Sequence, residues 1–427
     1  MTIIVHSGIL RNGLLRLLQA AVVALTVAAV AGGTTAAAPP GVASDIEHYL
    51  AELERIHPNP YHAVSRAEYR AAADRLIARL PSLSEDELLV ELLRLVAYLG
   101  ERDGHANMNP LAPGHRRVLH LYPIATYEFA DGVYVVAAPG RPQLVGRRLL
   151  AIQGRSMADV LRLVDPLVTY DNPLSLAAHR SPYLVTAEVL HGLGITPTAE
   201  RATLSLDGLP DVELTPVTRG EYVAAMRPAF PLFLDGMPKR AKPLMASRRG
   251  TSQWVTTLDR GRVVYFLYNT VLQDPTQSAN RILRLARRAK TRRIVVDLRN
   301  NGGADIGTYP YLLDTLKTRA VNRPGRLVVL IGRTTFSAAV HFATDLDQGT
   351  RAIFVGEPTG GSPNHYSDTD PVALDVSGYT INVPRIYFEK QPGRPGLQLD
   401  VDVAVPLTGR DFFAGRDPVL ARALALR

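Results

Sequence analysis

The chain has 427 residues, of which 46% are hydrophobic and 21% are charged, a balance that excludes a largely disordered protein and predicts two or three domains. It contains no cysteine, which excludes disulfides, thiolate metal sites and a cysteine nucleophile. The net charge of +8 comes from scattered basic residues. Their densest cluster, residues 284–293, spans a predicted helix end, so we interpret it as a solvated face and predict no nucleic-acid binding.

The first 38 residues have the pattern of an export signal. Arg11 and Arg16 are their only charges, and the segment from Leu17 to Ala31 is almost entirely apolar. A positive start, an apolar centre and a small-residue exit predict a secretory signal peptide, cleaved after Ala31 or after Ala38. An uncleaved membrane anchor is the alternative, because about 20 apolar residues can span a bilayer. In either case we expect a secreted or otherwise extracytoplasmic protein, with membrane contact only through an uncleaved segment.

Two regions follow before the main domain. Residues 39–118 are predicted to be helical, because leucines recur at helical spacing and a stop signal lies at His57–Pro60. Residues 119–220 predict a compact α+β module that resembles a PDZ domain. Its expected elements are a strand at 132–136, a strand–turn–strand unit over 144–154 and a helix at 157–164.

The last region, residues 221–427, begins with a basic stretch at 239–249 that we expect to be a loop. Strands and helices then alternate, which predicts a mostly parallel sheet. The predicted strands are 263–267, 293–298, 326–331 and 352–355, with further β-structure at 380–383 and 401–405. The predicted helices are 278–289, 306–318 and 336–347.

Two strand-to-turn junctions in this region carry residues suited to acyl transfer. The first, Asp297–Gly303, ends a buried strand with paired glycines, whose N–H groups can approach a ligand closely. The second, Ile331–Ala339, places a serine at the start of a helix, where the helix N-terminus favours negative charge. Taken separately, each junction is better explained as an ordinary turn or a helix cap.

Together and in this order, the junctions resemble the serine peptidases of the tail-specific (C-terminal processing) protease and tricorn-core family. The segments that carry the resemblance are Asp103–His105, Asp297–Gly303, Ile331–Ala339, Val355–Gly361, Gly396–Val403 and Arg416–Leu420. The resemblance is strong over 254–427, moderate over 44–110 and weak over 119–220. It implies an α/β fold with a crotonase-like (ClpP/crotonase-type) catalytic core, an N-terminal helical region and the PDZ-like module.

The resemblance also implies the catalytic residues. Ser337 is the expected nucleophile, and the N–H of Ala338 together with an N–H from Gly302 or Gly303 is expected to form the oxyanion hole. Tail-specific members of the family use a lysine as base, but Ser362 stands where that lysine would be.

Tricorn-like members use an upstream histidine instead, and His105 matches its position. We therefore predict a Ser337–His105 pair. His341 and His365 are rival histidines, which we expect to lie in the core or rim and in a solvated loop, respectively.

The sequence departs from the tricorn-like pattern around the base. Gly104 stands where those members carry a serine, and Gly393 and Arg394 stand where they carry a glutamate. Asp103 and Glu357 are the carboxylates that could replace this orienting arm, although Glu357 has the character of a structural residue. Loss of an orienting group can lower kcat greatly while the nucleophile remains.

Three functions are therefore compared. The first is an exported serine peptidase acting on a peptide or protein, the second a catalytically inactive peptide-binding protein, and the third an exported esterase. No cofactor is implied. A metal site is not predicted, because prolines separate His57 from His62, and His115 and His120 lack a neighbouring carboxylate cluster.

Overall fold

The computed structural model describes residues 36–112, 114–226, 242–248, 251–394 and 396–426. The predicted signal peptide therefore lies outside the described residues except for positions 36–38, and so do positions 239–241 and 249 of the basic stretch. The described part of that stretch, expected to be a loop, contains one short 3-10 helix, Leu244–Ala246. Within the described ranges, no helix is both long enough and apolar enough to cross a membrane.

The helical region consists of three helices, as the sequence predicts. They are α1 (Val42–Ile56), α2 (Arg66–Arg79) and α3 (Glu85–Ala97). Helix α1 ends immediately before His57, because Pro58 disfavours helical geometry at the residue that precedes it. Ser65 and Ser84 begin the next two helices with capping boxes, in which the serine side chain and a glutamate three residues later satisfy each other's backbone N–H groups.

The middle region combines short antiparallel sheets with helices. Its strands are β1 (His120–Leu121), β2 (Ala125–Phe129), β3 (Gly132–Ala137), β4 (Leu149–Ile152), β5 (Arg155–Ser156), β6 (Ala202–Leu206), β7 (Val212–Leu214) and β8 (Val217–Thr218). Its helices are α4 (Met157–Val164), α5 (Pro173–His179), α6 (Ser181–Val185), α7 (Ala187–Gly192) and α8 (Arg219–Met226). A four-stranded sheet has the order β5-β4-β6-β7. The strand predicted from residue 144 begins only at Leu149, and the sequence analysis missed α5, α6 and α7.

The third region is built on a six-stranded sheet. Its strands are β9 (Gln253–Leu258), β10 (Val263–Tyr268), β11 (Arg293–Asp297), β12 (Leu327–Ile331), β13 (Ile353–Gly356) and β16 (Val403–Ala404), in the order β16-β13-β12-β11-β10-β9. All neighbours are parallel except β9, which runs antiparallel to β10. Its helices are α9 (Thr276–Ala286), α10 (Pro310–Lys317), α11 (Ala338–Gly349), α12 (Gly409–Phe413) and α13 (Pro418–Ala425). The predicted strand–helix alternation is confirmed.

A long hairpin, β14 (Asn364–Ala373) paired with β15 (Thr380–Glu389), projects from this region. Here the sequence analysis is wrong, because it expects a solvated loop over 362–368. The expected strand at 380–383 is present but extends through Glu389.

Each face of the six-stranded sheet lies against its own hydrophobic core. Val264, Phe266 and Val296 belong to the cluster that includes α9, α10 and α11, whereas Tyr265 and Val295 belong to the cluster that includes the helical region and the middle module. This alternation follows from the two-residue period of a strand. Because β11, β12 and β13 are parallel, their carboxyl ends meet at one edge, which is where open α/β sheets bind ligands.

Candidate active site

Ser337 lies at this edge, between β12 and α11, in a strained backbone conformation. Its φ of 53° and ψ of −132° place it in the left-handed half of the map, which non-glycine residues rarely adopt. The turn is held from two sides: the Phe336 N–H donates to Asn301 O at 3.1 Å, and the Gly361 N–H donates to Thr335 O at 2.9 Å. The surrounding structure therefore fixes a half-buried serine at the first turn of a helix.

The paired glycines lie against this serine, but they differ in their surroundings. A Cβ atom on Gly303 would lie 2.6 Å from Ser337 Cβ and 2.8 Å from Ala338 N, whereas one on Gly302 would meet no atom within 4 Å. The Gly303 N–H already donates to Asn301 Oδ1 at 2.9 Å. Of the two glycine N–H groups named from the sequence, only that of Gly302 is without such a bond. Gly303 instead provides the close approach.

The Asp-Leu-Arg part of the first junction anchors the loop that carries these glycines. The Arg299 guanidinium is 5% exposed and pairs with Asp297 at 2.7 Å and with Asp417 at 2.8 Å. The Tyr265 hydroxyl also donates to Asp297 Oδ2, at 2.7 Å. The two carboxylates raise the pKa of Arg299 well above its ordinary value despite the opposing effect of burial. This network ties the end of β11 to the start of α13 and is structural in character.

His105 comes from the loop after α3 and packs against Phe336, the residue before Ser337. Its ring lies nearly parallel to that of Phe336, with centroids 4.5 Å apart. Both ring nitrogens are buried and have no partner with ordinary hydrogen-bond geometry, although a weak interaction with the Tyr366 backbone raises the pKa slightly. Burial lowers the pKa of His105 well below 6.5, and the neighbouring His365 lowers it further. The ring is therefore neutral at neutral pH, which is the form that a general base requires.

His365, expected in a solvated loop, is buried beside His105, and the expectation is wrong. It is 1% exposed, and its ring is nearly parallel to that of His105 at a centroid separation of 5.0 Å. Its Nδ1 donates to Ser362 O at 2.6 Å, which fixes the proton on that nitrogen because a carbonyl oxygen only accepts. The ring centroid of His341 also lies 5.0 Å from that of His365, and burial lowers the pKa of His341 to about 3.

The two carboxylates suggested from the sequence as replacements for the orienting arm are engaged elsewhere. Asp103 accepts a hydrogen bond from His57 Nε2 at 2.9 Å, and Glu357 pairs with Arg333 at 2.7 Å. Glu357 is therefore structural, as expected, and both are held away from the nitrogens of His105.

The sequence analysis missed a third carboxylate, Asp171. It is fully buried, and it accepts the Gly104 N–H at 2.9 Å and the Ser362 N–H at 3.0 Å. A local signal was present: Asn172 followed by Pro173 is a typical helix start, and Asn172 caps α5. That signal predicts the helix but not the contacts of the aspartate before it.

A cavity of about 200 Å³ opens beside His105 and Phe336. Its lining carries no ordinarily charged side chain and consists of Gly104, His105, Asn107, Asn109, Thr169, His179, Tyr183 and Phe336. Burial lowers the pKa of His179, so this ring is neutral as well. Elsewhere in the described ranges, His57 and His62 flank Asp103, yet no group of three or more histidines and carboxylates is arranged to hold a metal ion.

Comparison with known proteins gives matches among solved structures. No protein-family model matches the chain, and no curated protein matches it. The structure of mature CPAF complexed with lactacystin is 14% identical, with a TM-score of 0.58 over 88% of this chain and 95% of CPAF. A CPAF mutant gives 14% identity and a TM-score of 0.58 over 90% of this chain and 98% of that one.

The photosystem II D1 C-terminal processing protease is 14% identical, and the match covers 89% of this chain and 98% of that one. Its TM-score of 0.39 is too low to show a shared fold. The likeness to CPAF is one of fold alone, since the identity is low. Nearly the whole of each chain takes part in it. The comparison therefore shows that this chain shares its α/β fold with CPAF.

Proposed function

We propose that the protein is an exported serine peptidase that hydrolyses peptide bonds through an acyl-enzyme. The observation that carries the proposal is the backbone of Ser337, whose φ of 53° at the start of α11 is held against Gly303. Strain of this kind is retained where the surrounding structure imposes it, and such positions cluster at active sites. Ser337 is the only serine among the described residues with a positive φ.

In this mechanism Ser337 Oγ attacks the carbonyl carbon of the scissile bond while His105 accepts the hydroxyl proton. The Ala338 N–H, at the first position of α11, and the Gly302 N–H stabilise the negative oxygen that develops. The tetrahedral intermediate then collapses, and His105 returns the proton to the leaving amine. A water molecule then attacks the acyl-enzyme and gives its proton to His105, which passes it to Ser337 Oγ as the ester bond breaks, so that the acid product leaves and the serine hydroxyl is restored.

The finer description of the fold belongs to the same proposal. We assign a helical region to residues 39–118, a PDZ-like module to 119–220 and a crotonase-like core to 221–427. The parallel strands β10 to β13 with their connecting helices support the core assignment, and the sheet β5-β4-β6-β7 with α4 supports the module. Export through residues 1–38 follows from the signal pattern in the sequence.

One observation favours the catalytically inactive peptide-binding protein as the second candidate. Neither ring nitrogen of His105 has a partner with ordinary hydrogen-bond geometry, and a weak interaction with the Tyr366 backbone is all that bears on its tautomer. In a triad, a wrong or unfixed tautomer costs several orders of magnitude in kcat. A scaffold of this kind could bind a peptide beside the neutral cavity and release it uncut.

The test is digestion of an unfolded protein substrate by the purified protein, beside its Ser337→Ala and His105→Gln variants. We expect cleavage by the native protein and none by Ser337→Ala, with matching circular dichroism spectra for all three. Cleavage by Ser337→Ala at the native rate would refute the proposal. Absence of cleavage by any folded form would favour the binding protein, and hydrolysis of small activated esters without peptide cleavage would favour the esterase.

A further inference from the structure

Asp171 lies in the segment before α5 and connects chain segments that are far apart in sequence. Its side chain is fully buried, and both carboxylate oxygens are used: Oδ1 accepts the Gly104 N–H and Oδ2 accepts the Ser362 N–H. Its own backbone carbonyl accepts the Arg102 N–H at 3.2 Å, and its own N–H donates to Ser175 Oγ at 2.9 Å. The carboxylate therefore bridges the loop that carries His105 and the loop that follows β13.

The residue before His105 leaves room for this carboxylate. A Cβ atom on Gly104 would lie 2.8 Å from Asp171 Oδ1, which is closer than real Cβ contacts come, and 3.0 Å from Phe336 Cζ, which is tighter than most of them. The space that a side chain at position 104 would need is thus already filled by the aspartate and the phenylalanine. The Gly104 N–H is instead bound by a carboxylate that comes from a distant part of the chain.

The second oxygen of Asp171 acts on the other side of the site. Ser362, whose N–H it accepts, uses its carbonyl oxygen to accept the Nδ1–H of His365 at 2.6 Å. The ring of His365 in turn lies nearly parallel to that of His105. One buried carboxylate therefore fixes the backbone immediately before His105 and, through Ser362, the ring that packs on His105.

We propose that Asp171 is the positioning residue of the site: it holds the His105 loop and the Ser362–His365 segment in register beside Ser337. The inference rests on the proposed function for its effect on turnover. The coupling of the two loops by one carboxylate does not depend on that function. Burial raises the pKa of Asp171, and the two backbone N–H groups that its oxygens accept act in the opposite direction, because they favour the ionised carboxylate.

The chain offers a matched control. Asp45 is 4% exposed and also accepts two backbone N–H groups, those of Val376 and Ser377, at 3.1 and 2.7 Å. Those residues lie at the turn between β14 and β15, nine residues or more along the hairpin from the end that carries His365. Asp45→Asn therefore removes the same chemistry at a place remote from Ser337.

The experiment compares Asp171→Asn with Asp45→Asn in peptide hydrolysis. An asparagine at position 171 replaces one carboxylate oxygen by an NH2 group. This group is a donor and faces a backbone N–H, which is also a donor, so one of the two hydrogen bonds is lost. Because a displacement of about 1 Å can cost about 100-fold, we expect kcat to fall about 100-fold in Asp171→Asn, with KM within about threefold of native. We expect Asp45→Asn to keep native kcat. If the folded Asp171→Asn keeps native kcat, or if Asp45→Asn loses as much, the proposal is overturned.

A second measurement does not depend on turnover. Amide hydrogen exchange at Gly104 and Ser362 is expected to accelerate together, about tenfold or more, in Asp171→Asn, and to stay native in Asp45→Asn. Exchange that accelerates at neither residue, or at only one, overturns the coupling.

If the native protein shows no turnover, the peptidase proposal fails while this exchange result still decides the role of Asp171. Where Asp171→Asn does not fold, Gly104→Ala displaces the same contact from the other side. It should accelerate exchange at Ser362, and native exchange there would overturn the proposal.

Discussion

Replacing Gly303 by alanine is expected to displace Ser337 while the protein stays folded. The added Cβ atom would lie 2.6 Å from Ser337 Cβ, 2.8 Å from Ala338 N and 2.9 Å from Phe336 O. The first separation is about 0.8 Å short of ordinary van der Waals contact, and two of the three neighbours are backbone atoms, which cannot rotate away. The loop and the start of α11 must therefore move apart.

The magnitude follows from two terms. Gly303 has a φ of +97°, and a left-handed backbone costs a residue with a Cβ atom about 1–2 kcal/mol in folding stability. The displacement itself is close to 1 Å, a size that can cost about 100-fold in rate when it affects reacting groups. We therefore expect Gly303→Ala to lose about 2 kcal/mol of unfolding free energy and about 100-fold in kcat.

Gly325→Ala is the matched control, because Gly325 also has a positive φ, of +70°, and a Cβ atom there meets nothing within 4 Å. The assay is steady-state hydrolysis of a peptide by both variants, with urea unfolding to confirm that each is folded. Native kcat in Gly303→Ala, or equal losses in the two variants, would refute the close-packing argument for this loop.

Three further results are expected. Arg299→Met leaves two buried carboxylates unpaired and should lower the unfolding free energy by about 3–5 kcal/mol in urea titrations, whereas Arg385→Met, at a half-exposed pair, should change it by less than about 1 kcal/mol. Burial lowers the pKa of His341 to about 3, so the unfolded chain binds the extra proton between pH 6.5 and 3 and stability falls as the pH falls through that window. His341→Leu should reduce this dependence of stability on pH by up to about 1.4 kcal/mol per pH unit. The same measurement on His48→Gln, at an exposed histidine, is the control and should give the native slope. Because burial lowers the pKa of His105, the acidic limb of kcat/KM should lie below pH 6.5, and a limb above pH 7 would contradict its role as base.

The fold of the third region could be read from the sequence because its strands are buried on both faces. A run such as Ile294–Val296 is apolar without alternation, which is typical of a central parallel strand. Helix starts were less well predicted. The helix expected from Ile306 begins at Pro310, which is favoured at the first helical position, and the helix expected from Phe336 begins only after the left-handed Ser337.

The parts of the site that were missed depend on contacts between distant segments. Asp171 hydrogen-bonds to backbone N–H groups of residues 67 and 191 positions away, and backbone donors leave no pattern in a sequence. His365 stands among polar residues that are typical of a loop, yet the hairpin that carries it packs against other rings of the site. The sequence offers the N–H of Gly302 or of Gly303 as a donor, because the two glycines are alike there. The hydrogen bond from the Gly303 N–H to the Asn301 side chain, which the sequence does not show, excludes the second choice.

The most direct test of the central claim is covalent labelling of Ser337. The purified protein is treated with a fluorophosphonate and its peptides are examined by mass spectrometry. The account predicts a single adduct on Ser337, formed by the native protein and not by the heat-unfolded chain, and formed more slowly by His105→Gln. A folded native protein that leaves Ser337 unmodified, or an adduct on another serine, would contradict it.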